Sequence, residues 1–308
     1  MRFFDFIRKG KIAVSQFKRL CVQVDGSAFF LRKMLLEDKI LNSHECGVSD
    51  EKYCDTEIIV SLTTYGRRVD DVCFTIESLM QQTRKANRIV LWLDQRDRDK
   101  SLPRTLQLQQ ARGLEVRYTK DIRSYTKLIP ALIAFPDAAI ITVDDDLIYE
   151  FDILDRIISS YLLDPKSIHA CRTHVMKFDK NDNLMSYNDW QMQSYDMNLP
   201  KRNFITGVGG TLYPPYSLSP EVLNEEVFTA ICPTADDVWF TAMALVNGTS
   251  VRKVATRSGL GEDYCLNPSV QDMGLFRINT GENGHNDRQI SAVFNKYGIY
   301  QLIKQCPL

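Results

Sequence analysis

The sequence contains no C-x-x-C pair, and its eight cysteines follow no regular spacing. Structural zinc sites and disulfide-rich secreted domains both depend on such patterns, so we expect neither here. Scattered cysteines of this kind are typical of reduced, mostly buried thiols. The cysteine pattern therefore predicts a cytoplasmic protein.

Long hydrophobic runs are also missing. No stretch approaches the roughly 18–20 consecutive apolar residues that are needed to cross a bilayer. The first twenty residues, MRFFDFIRKGKIAVSQFKRL, lack the continuous apolar segment of a signal peptide. We therefore expect neither a membrane span nor a secretion signal.

Several nucleotide-binding and hydrolase motifs are absent. Neither G-x-G-x-x-G nor G-x-x-x-x-G-K-[ST] occurs anywhere, which argues against a dinucleotide oxidoreductase and a P-loop NTPase. The sequence also lacks G-x-S-x-G and H-E-x-x-H, the motifs of α/β-hydrolases and of one large class of zinc proteases. The formal net charge of −1 over 308 residues argues against a general nucleic-acid binder. Any anionic ligand must then be bound by a local cluster of basic groups.

Residues 1–55 are predicted to form a helical leader and a linker. Within residues 1–21, apolar positions fall near one helical face, and six basic residues supply much of the remainder. A basic amphipathic helix could lie on an anionic membrane surface, which would make the protein peripheral on the cytoplasmic face of the membrane. It could equally pack against its own domain or a partner.

From residue 56 onwards, apolar strand patterns alternate with helical patterns. This alternation predicts an α/β fold, a Rossmann-like three-layer α/β/α sandwich with a mostly parallel central sheet. We expect one domain over 56–308, with a ligand-binding half at 56–146 and a more irregular half at 147–308. The predicted strands are 57–65, 88–94, 114–119 and 138–144, and the predicted helices between them are 69–82, 103–112 and 126–135. In the second half we expect a helix at 153–163, a hairpin turn near Asn181, a loop over 203–220 and a helix at 235–246.

The stretch AAIITVDDD at 138–146 combines a buried strand with three acids. An apolar run rich in Ile and Val, without alternation, is typical of a strand that is buried on both faces. Acidic residues at its carboxyl end then lie where open α/β sheets bind ligands. Carboxylate oxygens of Asp144 and Asp146 could hold Mg²⁺ or Mn²⁺ against a diphosphate. The alternative is that Asp146 caps a following helix.

Taken together, these motifs resemble those of GT-A-fold glycosyltransferases, in particular those of bacterial surface-polysaccharide biosynthesis. The resemblance covers about residues 57–290 and rests on six stretches in order: SLTTYGRR, ESLMQQT, RIVLWLD, VDDD, GVGGTLYPP and ADDVWF. It implies that Asp146 binds the metal on the donor diphosphate and that Asp144 meets the metal, the ribose or the sugar. Asp145 would contact the donor or simply fill the middle position.

The resemblance also implies donor contacts outside the acidic triplet. Thr63, Tyr65 and Arg67 follow the first strand, where this fold binds the nucleotide base and ribose. Arg67 could pair with a phosphate or lie on the surface. Lys127 matches a lysine ahead of the acidic strand that could reach the donor, although a solvated lysine is the alternative.

On the acceptor side, the resemblance implies roles for GVGGTLYPP and ADDVWF. Gly209 and Gly210 would let a substrate approach the main chain, and Tyr213 would offer a ring on which a sugar stacks. Asp237 or Asp236 would be the general base, and one of them could also cap the helix that follows. His285 would be a further metal ligand, unless it is an exposed loop residue or lies at the start of a helix.

These expectations add up to a metal-dependent hexosyltransferase. It would move a sugar from a nucleotide-diphosphate donor, such as a UDP-sugar, to a hydroxyl of a saccharide or lipid-linked saccharide, with Mn²⁺ or Mg²⁺ as cofactor. A metal-dependent nucleotidyltransferase or phosphohydrolase and a non-catalytic saccharide-binding protein are the alternatives. No nucleic acid is expected as a partner.

Overall fold

The computed structural model describes residues 2–197, 202–259, 261–267 and 285–304. Nine strands lie within these ranges. They are β1 (Ile58–Thr63), β2 (Arg88–Asp94), β3 (Leu114–Thr119), β4 (Ala139–Thr142), β5 (Leu147–Tyr149), β6 (Ile168–Val175), β7 (Asn203–Tyr213), β8 (Val251–Lys253) and β9 (Tyr264–Leu266).

Nine α-helices accompany these strands in the described ranges. They are α1 (Arg2–Asn42), α2 (Val72–Met80), α3 (Arg104–Gln110), α4 (Ile129–Ala134), α5 (Ile153–Leu163), α6 (Glu225–Ile231), α7 (Asp236–Val246), α8 (His285–Tyr297) and α9 (Ile299–Lys304). Short 3-10 turns directly precede three of the helices, at Gly66–Asp70 before α2, at Arg123–Lys127 before α4 and at Pro220–Leu223 before α6.

Seven strands form one sheet in the order β3-β2-β1-β4-β7-β6-β8. The first four pair in parallel, as do β6 and β8, and β7 pairs antiparallel with both of its neighbours. Six strands of this sheet therefore point the same way. The carboxyl ends of β1 and β4 lie side by side, because Ser61 pairs with Thr142. The mostly parallel sheet predicted from the sequence is confirmed.

Helices cover both faces of this sheet. Alternate residues of β1 belong to different hydrophobic clusters, with Ile59 on one face and Ile58 and Val60 on the other. Helices α4, α7 and α8 pack on the first face, and α1, α2, α3 and α5 pack on the second. Because the central strands β1, β2 and β4 are buried on both faces, their sequences are mostly continuous apolar runs rather than alternating ones. The predicted three-layer α/β/α arrangement is confirmed.

One prediction about secondary structure is wrong. The segment NFITGVGGTLY was expected to be a loop because of its glycines, but it forms the long strand β7. Its residues are nearly all buried, and it joins β4 to β6 in the middle of the sheet. The hairpin near Asn181 is present, with Phe178 and Leu184 forming an antiparallel bridge.

The N-terminal helix α1 is a single element of 41 residues. Its second half packs on the domain, where Phe29 and Ile40 are buried in the same cluster as α2 and α3. None of the helices in the described ranges combines the length and the apolar character needed to span a lipid bilayer. The division into a leader at 1–55 and a domain at 56–308 stays a prediction.

A buried ion pair fastens the linker after α1 to the domain. Glu77 on α2 is fully buried, and Arg112 donates to both of its carboxylate oxygens, at 2.9 and 3.0 Å. The same guanidinium donates through Nε to the carbonyl of Glu45 in the linker, at 2.8 Å. This one side chain therefore connects α2, the end of α3 and the linker.

We expect Arg112→Met to lower the free energy of unfolding by about 3–5 kcal/mol, because it leaves the Glu77 carboxylate buried without a counter-charge. Urea denaturation followed by circular dichroism measures the loss. The matched control is Lys100→Met, which breaks the exposed pair with Asp97 and should cost less than about 1 kcal/mol. Equal losses in the two variants would contradict the assignment.

Candidate active site

The three consecutive aspartates lie in a short connection between two strands. β4 ends at Thr142 and β5 begins at Leu147. The Asp144 N–H donates to the Tyr149 hydroxyl, and the Asn267 N–H donates to the Asp146 carbonyl, both at 2.9 Å. The triplet is thus held at both ends, at the carboxyl edge of the parallel strands where the sequence predicted it.

The alternative that Asp146 caps a helix is wrong. The residues after it form strand β5, and the next helix, α5, begins only at Ile153. An acid that precedes a strand has no free helix N–H groups to accept from. The triplet therefore needs another explanation than helix capping.

Asp145 points into the protein and is held by three hydroxyl or guanidinium donors. Thr64 Oγ1 donates to Oδ2 at 2.6 Å, and Arg68 Nη1 donates to Oδ1 at 2.7 Å. The backbone carbonyl of Asp145 accepts from Thr75 Oγ1 at 2.9 Å. Burial raises the pKa of this carboxyl, and the nearby Arg68 and Thr64 act in the opposite direction. Both oxygens already have protein partners, which is the geometry of a positioning residue, and the donor contact implied for Asp145 stays a prediction.

Asp144 and Asp146 are more accessible than Asp145. Their side chains are 24% and 16% exposed, against 7% for Asp145. Asp144 Oδ1 accepts from Lys127 Nζ at 3.0 Å, and Asp146 Oδ2 lies 3.6 Å from Arg68 Nη2. These two carboxylates are the ones that a ligand at the sheet edge could reach.

Lys127 lies beneath the sheet edge and not on the surface. Its side chain is 10% exposed, and Nζ lies 3.0 Å from Asp144 Oδ1 and 3.4 Å from Asp236 Oδ2. Its carbonyl accepts from Ser61 Oγ on β1 at 2.6 Å, which fixes the 3-10 turn that carries it. The alternative of a solvated lysine is therefore wrong, and contact with a donor stays a prediction.

The charge of Lys127 is stabilised by its surroundings. Burial alone would lower the pKa of this ammonium group, because a charge is poorly solvated inside a protein. Attraction by Asp144, Asp236 and Asp237 outweighs burial and holds the pKa well above its usual range. Lys127 thus remains charged between Asp144 and the acids of α7, Asp236 and Asp237. We call this group of side chains the junction at Lys127.

Asp236 and Asp237 open α7 on the other side of Lys127. Asp236 is buried, and its Oδ2 makes no hydrogen bond with any residue that the structure describes. Asp237 is half-buried, and its Oδ1 accepts from the Gly207 N–H at 2.9 Å. Burial and repulsion by Asp236 raise the pKa of Asp237 to about 7. The predicted capping role is wrong, since neither side chain caps α7 and the cap residue is Ala235.

Gly207 on β7 makes this junction sterically possible. A Cβ atom there would lie 2.8 Å from Lys127 Nζ and 3.1 Å from Asp237 Oδ1. Both distances are shorter than normal contacts, so any side chain at this position would displace one of the two charged groups. The sequence points to the neighbouring glycines, but Gly207 is the glycine that lies against the site.

Gly209 and Gly210 have positive φ angles of 90° and 104°, as glycine permits. A Cβ on Gly209 would lie 2.6 Å from the carbonyl oxygen of Gly261. The main chain that approaches Gly209 closely is therefore the protein's own loop. Acceptor contact by these two glycines stays a prediction.

Tyr213 does not present its ring to a ligand. It ends β7, is 1% exposed and packs edge-on against Phe240, with ring centroids 5.9 Å apart. The prediction that a sugar stacks on Tyr213 is incompatible with this burial. The alternation of a strand explains the position, because Tyr213 points into the core of one sheet face.

The loop after β1 contains a residue that sequence reasoning missed. Thr63 Oγ1 donates to the Trp92 carbonyl at 3.0 Å, Tyr65 is 50% exposed and Arg67 is exposed. The buried Arg68 is the residue that reaches Asp145 and Asp146. Two adjacent arginines in a 3-10 turn point in different directions, and the sequence contains no signal that separates them.

His285 begins α8, and the residues at 268–284 before it lie outside the described part of the chain. No three His, Cys, Asp or Glu side chains among the described residues are grouped closely enough to hold a metal ion. A metal site formed by Asp144, Asp146 and His285 therefore stays a prediction.

The charge balance of the site nevertheless suits a divalent cation. Among the described residues, five carboxylates face two ion-paired cations: Asp144, Asp145, Asp146, Asp236 and Asp237 against Lys127 and Arg68. A third cation, Arg172, is close enough to attract Asp237, so the carboxylates still outnumber the cations. Mg²⁺ is commonly held by one or two carboxylates together with water and substrate phosphates. The two accessible carboxylates, Asp144 and Asp146, fit that chemistry.

Comparison with known proteins yields no family. No protein-family model and no curated protein matches the chain. Among solved structures, it is similar to CMP:2-keto-3-deoxy-manno-octonic acid synthetase complexed with CTP, at 13% identity over 64% of this chain and 89% of that chain, with a TM-score of 0.35. It is also similar to HddC from Yersinia pseudotuberculosis, at 14% identity over 53% of this chain and 78% of that chain, with a TM-score of 0.34. These TM-scores are too low for either likeness to bear on the function of this chain.

We expect Gly207→Ala to destabilise the protein by about 1–3 kcal/mol, because the new methyl group must displace Lys127 or Asp237. Thermal unfolding measures the effect. Gly26→Ala is the matched control, since a Cβ at Gly26 meets nothing within 4 Å and alanine favours the helix. If Gly207→Ala is as stable as the control, Lys127 and Asp237 can make room for a methyl group without loss of stability, which would contradict the close packing at Gly207.

Proposed function

We propose that this protein is a metal-dependent GT-A-type glycosyltransferase. It transfers a sugar from a nucleotide-diphosphate donor, a UDP-sugar in the first instance, to a hydroxyl of a saccharide or lipid-linked saccharide in surface polysaccharide biosynthesis. The proposal combines the sequence resemblance with the geometry of the acidic edge.

The observation that carries the proposal is the junction at Lys127. Its ammonium group lies within 3.4 Å of both Asp144, after β4, and Asp236, at the start of α7. Two sets of carboxylates that are distant in the sequence thus meet at one sheet edge. A metal-dependent glycosyl transfer needs both sets. One set of carboxylates holds the metal ion at the leaving diphosphate, and a carboxylate of the other set accepts a proton from the incoming hydroxyl.

On the donor side, Asp144 and Asp146 would hold the Mn²⁺ or Mg²⁺ ion, with His285 as a further ligand. When bound, the ion neutralises the charge that develops on the leaving diphosphate. Arg68 and Thr64 fix the turn through Asp145, so that the two neighbouring carboxylates are already positioned. Thr63, Tyr65, Arg67 and Lys127 are the proposed donor contacts.

On the acceptor side, Asp237 is the proposed general base. It is half-buried and its Oδ1 is oriented by the Gly207 N–H, whereas Asp236 is buried against Lys127. Asp237 would take the proton of the acceptor hydroxyl as that oxygen bonds to the anomeric carbon. The bond from this carbon to the diphosphate breaks in the same step, and its electron pair leaves with the diphosphate. The configuration at the anomeric carbon is then inverted.

The first test is a screen of nucleotide sugars for Mn²⁺-dependent hydrolysis or transfer. We expect turnover of at least one donor, and we expect Asp146→Asn to lower the rate by about two orders of magnitude or more, because a metal ligand is lost. Asp99→Asn, at an exposed aspartate of the β2–α3 connection, is the matched control and should keep full activity.

Other outcomes of the same screen would point to the alternatives. Release of pyrophosphate from a nucleoside triphosphate and a sugar phosphate would indicate a nucleotidyltransferase. Release of phosphate without a sugar acceptor would indicate a phosphohydrolase. Full metal-dependent activity in Asp146→Asn would show that the proposed site is wrong, and saccharide binding without turnover would indicate a binding protein.

A second test is the pH profile of transfer. A base must be deprotonated to act, so activity should fall as pH decreases through about 7, where Asp237 gains a proton. Asp237→Asn should lower the rate by about 10²–10⁴-fold. Because Asp236 raises the pKa of Asp237, Asp236→Asn should move the acidic limb of the profile to lower pH. An acidic limb that stays in place in Asp236→Asn would contradict the assignment of Asp237.

A further inference from the structure

The long helix α1 has an apolar face that the domain does not cover. Its packed face carries Phe29 and Ile40, which are 2% exposed. On the same side of the helix, Lys33 lies 3.5 Å from Asp71, and Arg32 lies 2.7 Å from Glu150. These contacts fix which side of α1 faces the protein.

The opposite side of α1 is exposed and mostly apolar, with Asp38 as an acidic residue among its apolar side chains. Leu20, Val24, Leu31 and Leu35 are between 57% and 70% exposed. Their spacing of four, seven and four residues places them along one side of a helix. Phe30, Met34 and Leu41 extend the exposed apolar surface on the same segment. A contiguous patch of this kind is typical of an interaction site rather than of ordinary surface. We call these seven residues the outer face of α1.

The first half of the same helix is strongly basic. Residues 2–19 contain six lysine and arginine residues and one aspartate, a net charge of +5 in a chain whose total is −1. Arg19, next to the outer face, is exposed. The sequence therefore places a basic segment directly before the outer face, and interfacial helices that bind anionic lipid combine these two features.

A second copy of the chain fits these charges less well. Residues 21–42 contain three acidic and three basic residues, so this half of α1 has no net charge. Parallel pairing of two α1 helices would set +5 against +5. Antiparallel pairing through the outer face would set the neutral half of α1 against itself and leave the basic half uncovered. Neither arrangement supplies the negative charge that an anionic bilayer surface supplies.

We infer that α1 is a membrane-docking helix that lies on an anionic lipid surface through its outer face. The basic first half draws the helix to the headgroups, and the outer face enters the boundary between headgroups and acyl chains. This inference stands on α1 alone and does not depend on the proposed transferase activity.

The docking helix also contacts the strand pair that follows the acidic triplet. Arg32 pairs with Glu150 and donates to Cys265 Sγ at 3.5 Å. Glu150 follows β5 directly, and Cys265 lies in β9, which pairs with β5. The small β5–β9 sheet begins just after Asp146. Docking of α1 would therefore bring a membrane surface to the element that follows the acidic triplet, which is useful if the acceptor is lipid-linked.

The test is vesicle flotation of the full-length protein without any nucleotide sugar. We expect it to float with phosphatidylcholine vesicles that contain about 30 mol% phosphatidylglycerol, and not with phosphatidylcholine alone. Binding to the anionic vesicles should fall about tenfold or more in the variant that combines Leu20→Gln, Val24→Gln, Leu31→Gln and Leu35→Gln. The control is Ile133→Gln with Leu163→Gln, two apolar residues elsewhere that are 63% and 88% exposed, and this variant should bind as the unmodified protein does.

A charge variant tests the electrostatic half of the inference. Arg8→Gln, Lys9→Gln and Lys11→Gln together should weaken binding and reduce its dependence on salt. Lys100→Gln, Lys166→Gln and Lys180→Gln remove the same charge from exposed sites elsewhere and should have little effect. Equal losses in these two triple variants would show that total charge, and not α1, governs binding.

Two outcomes would overturn the inference. One is that the unmodified protein fails to float with anionic vesicles. The other is that light scattering shows a dimer which the four-residue outer-face variant converts to a folded monomer, because a second copy would then cover the outer face. Circular dichroism and thermal unfolding of each variant show that the change is in binding and not in folding. None of these variants changes a residue of the candidate active site, so transfer to a soluble acceptor should be unchanged in all of them. A failure of membrane binding can therefore be told apart from a failure of the nucleotide-sugar screen.

Discussion

The arrangement of the candidate site depends on one buried cation, Lys127. A buried ammonium group without partners costs several kcal/mol, so the surrounding chain must supply carboxylates. Asp144 and Asp236 do so from opposite sides, one after β4 and the other at the start of α7. The approach also requires Gly207, because any larger residue on β7 would occupy the space of the ammonium group. The contacts of Lys127 with Asp144, Asp236 and Gly207 thus fix the acidic turn, helix α7 and strand β7 relative to one another.

Arg68 and Lys127, the two basic residues that form ion pairs with the acids of the site, contact different parts of it. Arg68 binds Asp145 and lies close to Asp146, so it shapes the acidic turn from the side of β1. Lys127 links that turn to the acids of α7. Asp145, with both oxygens engaged, stabilises the turn, and its neighbours on either side remain accessible. The excess of carboxylates over cations then leaves the sheet edge negative, which favours a cationic ligand.

The sequence predicts where the acidic residues lie in the sheet better than it predicts which neighbouring side chains contact them. AAIITVDDD could be interpreted correctly, because a doubly buried parallel strand imposes a continuous apolar run and its carboxyl end marks a ligand edge. GVGGTLYPP could not, because glycine and proline suggest a loop, whereas here the glycines serve close contacts inside a buried strand. The burial of Tyr213 follows from that strand and was missed with it. The choice of Arg68 over Arg67 depends on the direction of one 3-10 turn, for which the sequence gives no indication.

Helix α1 shows how a single helix can be compatible with two interpretations of its sequence. From the sequence, residues 1–21 could pack on the domain, bind a partner or lie on a membrane, and these alternatives exclude one another if a helix has one apolar face. The same question applies to the rest of α1. The structure places Phe29 and Ile40 against the domain and leaves Leu31 and Leu35 exposed on the opposite side. A helix with apolar residues on two opposite sides can do both at once. Its charges then decide between possible partners for the exposed side, because apolar area alone does not distinguish a lipid surface from a second protein chain.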